Sequence, residues 1–143
     1  MAGGRLGIAA KSLDRFKDRA RQITRRNRGV SLERMIKDLN SFFPGWVAYY
    51  RHAEGKSHLQ RLDEWVRRKL RCVRLKQCKR AKPIRDFLVS HGVEGSWAWR
   101  LALSGKGWWR LSNTPQCLKA MSNTWFEGIG LVSLLVRHQE LNR

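Results

Sequence analysis

The chain has 143 residues, 42% of them hydrophobic and seven of them tryptophan, so it is long enough to bury a core of its own. Thirty Lys and Arg against eleven Asp and Glu give a formal charge of +19. Such a charge repels itself in a compact protein and favours a polyanionic partner. No run of about 18 apolar residues and no secretory leader is present, which excludes membrane and secreted classes and predicts a cytoplasmic protein.

Apolar residues recur at helical spacing along the chain and predict an all-α fold. After a glycine-rich lead-in over residues 1–11, a first helix is expected over residues 12–28. Ser31 opens a second helix, and Asn40 is placed to end it and to cap another. That next helix would carry an aromatic cluster that packs between helices, formed by Phe42, Phe43, Trp46, Val47 and Tyr50.

A long helix over residues 59–85 is predicted at the centre of the fold. At 100° per residue, its apolar side chains fall within a wedge of about 80° that stops near Val73. Ser57 and Gln60 form a capping box at its start, and Pro83 should end or kink it. The opposite half is cationic, with Arg61, Arg67, Arg68, Arg71, Arg74, Lys79 and Lys82.

Two interpretations of this cationic half are open: a solvated face, which is usual for a charge run, and a phosphate-binding face. The net charge of the whole chain favours phosphate binding.

Shorter helices are predicted in the last third of the chain, over residues 84–90 and 96–103. The following segment reads as a loop, in which Lys106 between two glycines indicates either a phosphate-binding loop or a plain loop with a packing tryptophan pair. Thr114 before Pro115 begins another helix. Its expected buried edge is Leu118, Met121 and Trp125, and a last helix should run over residues 131–141.

Seven stretches, taken in their order and spacing, resemble the maturase-specific region of group II intron reverse transcriptase/maturases. The likeness covers roughly residues 12–141. The stretches are residues 25–29 (RRNRG), 39–40 (LN), 45–51 (GWVAYYR), 62–71 (LDEWVRRKLR), 76–80 (KQCKR), 104–110 (SGKGWWR) and 123–125 (NTW).

The resemblance implies a small thumb-like helical bundle over residues 12–75. The long basic helix would continue it into a maturase (X-type) helical subdomain over residues 76–143. Proteins of this family grip structured intron RNA and promote its splicing, so the implied partner is structured RNA, in particular group II intron RNA. DNA is a possible further partner, no membrane is expected, and the oligomeric state is left open.

No catalytic residue, metal site or cofactor is predicted. The family's polymerase half carries a Tyr-x-Asp-Asp element, whereas the neighbouring acids here are Asp63 and Glu64, so reverse transcription is not expected. The four histidines are scattered, and three cysteines without C-x-x-C spacing indicate reduced thiols. The chain is therefore expected to be a binding protein and not an enzyme.

The predicted RNA-binding residues lie on the central helix, just beyond it and around the Gly-Lys-Gly segment. The alternatives are a non-specific RNA- or DNA-binding basic protein and an inactive fragment of a truncated intron gene. The predicted contacts are Arg67, Arg68, Arg71, Arg74, Lys76, Lys79, Arg80, Lys82, Arg85, Lys106 and Arg110.

Overall fold

The computed structural model describes residues 10–25, 28–49 and 56–142. Within these ranges the regular structure is helical, which confirms the all-α prediction. The helices are α1 (Ala10–Ile23), α2 (Leu32–Tyr49), α3 (Lys56–Cys78), α4 (Ala81–Ser90), α5 (Gly95–Ala102), α6 (Trp108–Leu111), α7 (Pro115–Ala120), α8 (Asn123–Gly128) and α9 (Leu134–Leu141).

Helix α3 is the centre of the fold, with α2, α4, α6 and α9 packed against it. One cluster of buried apolar side chains runs from Phe16 on α1 to Leu134 on α9. The predicted inner edge of α3 is buried, but the prediction that it stops near Val73 is wrong, because Leu75 is also fully buried. The reason is that helices cover more than one side of the second half of α3. The proposed boundary between residues 75 and 76 stays a prediction.

The aromatic cluster packs between helices as predicted, for the members that the structure describes. The ring of Phe16 on α1 lies 5.3 Å from Phe42, 5.7 Å from Phe43 and 4.9 Å from Trp46, measured between ring centroids. Tyr50 lies outside the described residues. These offset rings join α1 to α2 and contribute to the core beyond their buried area.

The long helix breaks earlier than the sequence predicts. The sequence predicts one helix over residues 59–85 that Pro83 ends or kinks, whereas α3 ends at Cys78 and α4 begins at Ala81. In a continuous helix the proline ring would clash with the carbonyl four residues before it, that of Lys79. Lys79 instead has a φ of 66°. Pro83 then sits in the first turn of α4, where no helical hydrogen bond needs its missing N–H.

Helix α2 also differs from the prediction, because Asn40 neither ends it nor caps another helix. The helix runs through Asn40 and Pro44 without interruption. Its buried residues Leu39, Phe43 and Val47 lie on both sides of the predicted boundary. Packing of this apolar face therefore overrides the local preference of asparagine and proline for a helix end.

Several boundaries shift because serine caps were not recognised. The helix that begins after Thr114 ends at Ala120, and Ser122 caps a separate helix, α8, by accepting a hydrogen bond from the N–H of Trp125 at 3.2 Å. Ser133 caps α9 in the same way, which moves its start to Leu134. Four other details differ from the prediction. Helix α1 ends at Ile23 and not at residue 28, and Ser57 lies inside α3 and does not cap it. The segment predicted as a loop contains α6, and Leu118, which was expected to be buried, is exposed.

Over the described ranges, none of the helices combines the length and the apolar character that a membrane crossing requires.

Candidate nucleic-acid interface

A groove of about 450 Å³ lies between α3 and the segment that contains α6, α7 and α8; it is called the α3–α6 groove below. Its lining residues include four arginines and only one carboxylate, that of Glu64. Two tryptophans and two asparagines complete its polar and aromatic lining. These residues are Arg61, Arg67, Arg68, Arg71, Glu64, Trp65, Trp109, Asn113 and Asn123.

Arg68 fixes α6 against α3 at one edge of this groove. Its Nη2 and Nε donate to the carbonyl oxygen of Trp109 at 2.9 and 3.2 Å. Its Cζ lies 4.0 Å from the centroid of the Trp109 ring, which is a close cation–π contact. The Trp109 side chain is 40% exposed. The pair therefore presents a held aromatic ring and a guanidinium plane to solvent.

Arg71 lies at the floor of the groove. The side chain is only 5% exposed, its Nε donates to the carbonyl oxygen of Met121 at 2.8 Å, and its Cζ lies 5.3 Å from the centroid of the Phe126 ring. Burial, with a smaller contribution from the charge of Arg67, lowers the pKa of Arg71 to about 10. Among the described residues, no carboxylate forms an ion pair with it. A buried cation without a counter-ion favours an anion in the groove.

Two further arginines line the groove: Arg61, which is exposed, and Arg67, which is half-buried. Neither makes a hydrogen bond or an ion pair with another residue in the part of the chain that the structure describes. Their donors are therefore available to a ligand, and a guanidinium binds phosphate oxygens in a bidentate manner.

Cations of α1 extend the positive surface past Trp65. Lys17 Nζ lies 5.7 Å and Arg21 Cζ 5.4 Å from the centroid of the Trp65 ring, and Lys69 Nζ lies 5.8 Å from it. Three positive side chains thus surround one half-buried tryptophan next to the groove.

The family comparison agrees with the resemblance seen in the sequence. The family model described as group II intron, maturase-specific domain matches residues 13–90, which is more than half of the chain. The chain belongs to this family. A search among curated proteins finds no match. The matched part of the maturase-specific domain ends with α4, whereas Trp109, Asn113 and Asn123 lie beyond it.

The structure brings together three of the predicted RNA-binding residues of this maturase-specific domain. Arg67, Arg68 and Arg71 line the same groove. Arg71 is buried, however, and so is not on the open cationic face where the helical wheel placed it, because α7 and α8 cover that side of α3. Contact with RNA stays a prediction for all three.

Arg74 lies in a different, larger cleft of about 950 Å³ between the start of α2, the end of α3 and α4. Its Cζ is 4.6 Å from the centroid of the Phe87 ring, and Glu33 and Asp86 also line this cleft. Cys78 lines the same cleft and packs on the core. The two acids make this cleft less cationic than the α3–α6 groove.

The remaining predicted contacts do not line the groove. Arg85 on α4 pairs with Asp86 at 2.7 Å and lies 4.8 Å from the centroid of the Trp99 ring. Lys106 is exposed before α6, and its role as a phosphate-binding residue stays a prediction. Half-buried Lys76 and exposed Lys79, Arg80 and Lys82 lie around the α3–α4 break, and Arg110 is exposed on α6.

A second cationic cluster, between α1 and α2, was not among the predicted sites. Arg28 and Arg34 both pair with Asp38, at 2.7 and 3.2 Å, and Arg19 and Arg25 line the same depression of about 700 Å³. The excess of arginine in the first helix was the available sequence signal.

Sequence reasoning also missed the other residues that line the α3–α6 groove. Arg61 was on the cationic side of the wheel and could have been included, and Trp65 lies on the same helix. Trp109, Asn113 and Asn123 gave no such signal, because only tertiary packing brings the segment after α5 next to α3.

Proposed function

We propose that this maturase-specific domain binds structured group II intron RNA and promotes splicing, with the α3–α6 groove as one place where it holds the RNA backbone. The observation that carries the proposal is the buried charge of Arg71, which has no carboxylate partner among the described residues and lines the same groove as Arg61 and Arg67. A phosphate group in the groove would supply the missing negative charge. The proposal includes a cytoplasmic location.

The domain would act as a cofactor of the RNA and not as the catalyst. Packed RNA segments repel each other through their phosphates, and cationic helices between them reduce that repulsion. The RNA would then hold its active arrangement at a lower magnesium concentration and carry out the transesterifications itself. The domain would have no polymerase activity of its own.

A direct test measures RNA affinity as a function of salt. For Arg67→Ala we expect weaker binding and a salt slope, in log K against log salt, that is smaller in magnitude by about 0.7 to 0.9. Arg15→Ala is the matched control, since it removes the same charge from an exposed position on α1 that does not line the groove. If both variants behave alike, the groove is not a phosphate-binding site.

Splicing is tested by an intron self-splicing assay at a magnesium concentration too low for the RNA alone. Wild-type chain should restore splicing, and Arg67→Ala should restore less. Competition with tRNA and with duplex DNA at the same salt distinguishes intron recognition from non-specific binding. If all competitors bind equally and splicing is not restored, the chain is a general polyanion binder.

A further inference from the structure

The α3–α6 groove contains groups that backbone binding leaves unused. Asn113 and Asn123 are exposed, and their carboxamides make no hydrogen bond with another residue in the described ranges. A carboxamide has both donors and an acceptor, as the edge of a nucleobase does, whereas a phosphate offers acceptors alone. These two side chains therefore fit a base better than a phosphate.

The aromatic wall of the groove has the properties of a stacking platform. The Trp109 ring is partly exposed, and the two hydrogen bonds from Arg68 to its carbonyl oxygen hold its backbone against α3. A ring that is already fixed loses little freedom when a base stacks on it. The volume of about 450 Å³ also lies in the range of pockets for small ligands.

We propose that the α3–α6 groove holds one unpaired nucleotide of the bound RNA. Its base stacks on the Trp109–Arg68 pair, its edge meets the carboxamides of Asn113 and Asn123, and its phosphate lies near Arg67. This inference rests on the proposed function, since it names the part of the RNA that occupies the same groove. A paired base is excluded because a duplex covers both its faces and occupies its pairing edge.

The test compares three RNA hairpins that differ at one position: a bulged adenosine, an abasic residue in the same bulge, and no bulge. All three have nearly the same backbone charge, so differences in affinity report on the base. Wild-type chain should bind the adenosine bulge about tenfold more tightly than the abasic bulge. Trp109→Leu should reduce this preference to about twofold, chiefly by weakening the binding of the adenosine bulge.

Two further variants keep the result interpretable. Arg68 contacts the carbonyl of residue 109, so Trp109→Leu leaves its hydrogen bonds possible. Trp97→Leu changes a tryptophan on α5 that is 51% exposed and does not line the groove, and it should keep the full preference. Asn113→Ala combined with Asn123→Ala should reduce the preference without changing the salt slope.

The outcomes separate this inference from the proposed function. Equal wild-type affinity for the adenosine and abasic bulges, together with a normal salt slope, refutes the nucleotide site and leaves backbone binding intact. A full preference in Trp109→Leu also refutes it. If none of the hairpins and no intron RNA binds, both the inference and the proposed function fail.

Discussion

Asp63 of α3 caps the N-terminus of α9 through Leu134, which lies 71 residues further along the chain. One carboxylate oxygen accepts the N–H of Leu134 at 2.8 Å, and the other accepts the N–H of Leu135 at 3.1 Å and the hydroxyl of Ser133 at 2.7 Å. The side chain is buried, so these three donors and the positive end of the helix compensate its charge. The last helix is thereby attached to the central one.

Removal of this cap should destabilise the fold. We expect Asp63→Ala to lower the free energy of unfolding by about 2 kcal/mol, because two N–H groups at a buried helix end lose their acceptor. Asp63→Asn should cost less, since an amide oxygen still accepts. Urea denaturation followed by circular dichroism measures both. The neighbouring exposed Glu64→Ala is the control and should stay within about 0.5 kcal/mol; equal stability of Asp63→Ala and wild type would contradict the capping role.

Asn40 makes a comparable link between α2 and the loop before α9. Its Nδ2 donates to the carbonyl oxygen of Gly130 at 2.7 Å, and its Oδ1 accepts the N–H of Val132 at 2.9 Å. Gly130 has a φ of +94°, which a side chain would oppose.

Loss of both hydrogen bonds in Asn40→Ala should therefore lower the unfolding free energy by about 1 to 2 kcal/mol, after allowing for the better helix propensity of alanine. Thermal or urea unfolding measures the change. Asn40→Asp keeps the acceptor but sets a carboxylate oxygen against the carbonyl oxygen of Gly130, so it should not recover the lost stability. Ser41→Ala, at an exposed neighbouring position, should have little effect. If Asn40→Ala lowers the free energy of unfolding no more than Ser41→Ala does, the contact of Asn40 with the loop does not contribute to stability.

The sequence predicted the elements that depend on local pattern. The burial of Leu59, Leu62, Val66 and Leu70 follows from helical spacing, and the cap at Thr114 follows from its position before Pro115. The position of the α3–α4 break was missed because the ring of Pro83 clashes with the carbonyl group of Lys79, four residues earlier. The helix therefore breaks before the proline and not at it.

The groove could be predicted only in part, because a helical wheel gives the side of a helix and not what covers it. Arg68 meets Trp109 across 41 residues, and Arg71 meets Met121 across 50. The wheel placed both arginines on the cationic side of α3. Only the packing of α6, α7 and α8 on that side makes one of them a platform for Trp109 and the other a buried charge.

Two carboxyl groups should make the stability of the protein sensitive to acid. The hydrogen bond from Arg28, with a further one from Arg34, lowers the pKa of Asp38 against the opposing effect of burial. Hydrogen bonds from the hydroxyl and the N–H of Ser96 lower the pKa of Glu94, the cap of α5.

Because both pKa values are lower in the folded state, these groups stabilise the protein above their ordinary values of 3.8 and 4.5. This stabilisation is lost as the pH falls through the folded values. Asp38→Asn combined with Glu94→Gln should therefore flatten the dependence of the urea midpoint on pH below about 4.5. Asp14→Asn, which changes an exposed acid outside both hydrogen-bond networks, is the control; a curve as steep as that of wild type in the double variant would contradict the assignment.

Arg71→Met separates the structural role of this residue from its role in RNA binding. Methionine keeps an unbranched chain but leaves the carbonyl of Met121 unpaired, which costs about 1 to 3 kcal/mol, while the loss of a buried charge offsets part of this cost. We therefore expect a stability loss below about 2 kcal/mol and a fall in RNA affinity of about threefold to tenfold. Denaturation and RNA titration measure the two effects. Unchanged affinity would show that Arg71 serves packing alone.

Glu64→Gln tests the charge of the α3–α6 groove in the opposite direction. Glu64 is the one carboxylate among the lining residues, and it repels a phosphate that approaches Arg61 and Arg67. Its replacement by the isosteric amide should raise RNA affinity by about twofold to fivefold at low salt, with a smaller gain at high salt because of screening. Glu140→Gln removes the same charge from an exposed position on α9 and should change affinity less. If the two variants gain equally, the effect comes from net charge, and RNA does not occupy the groove.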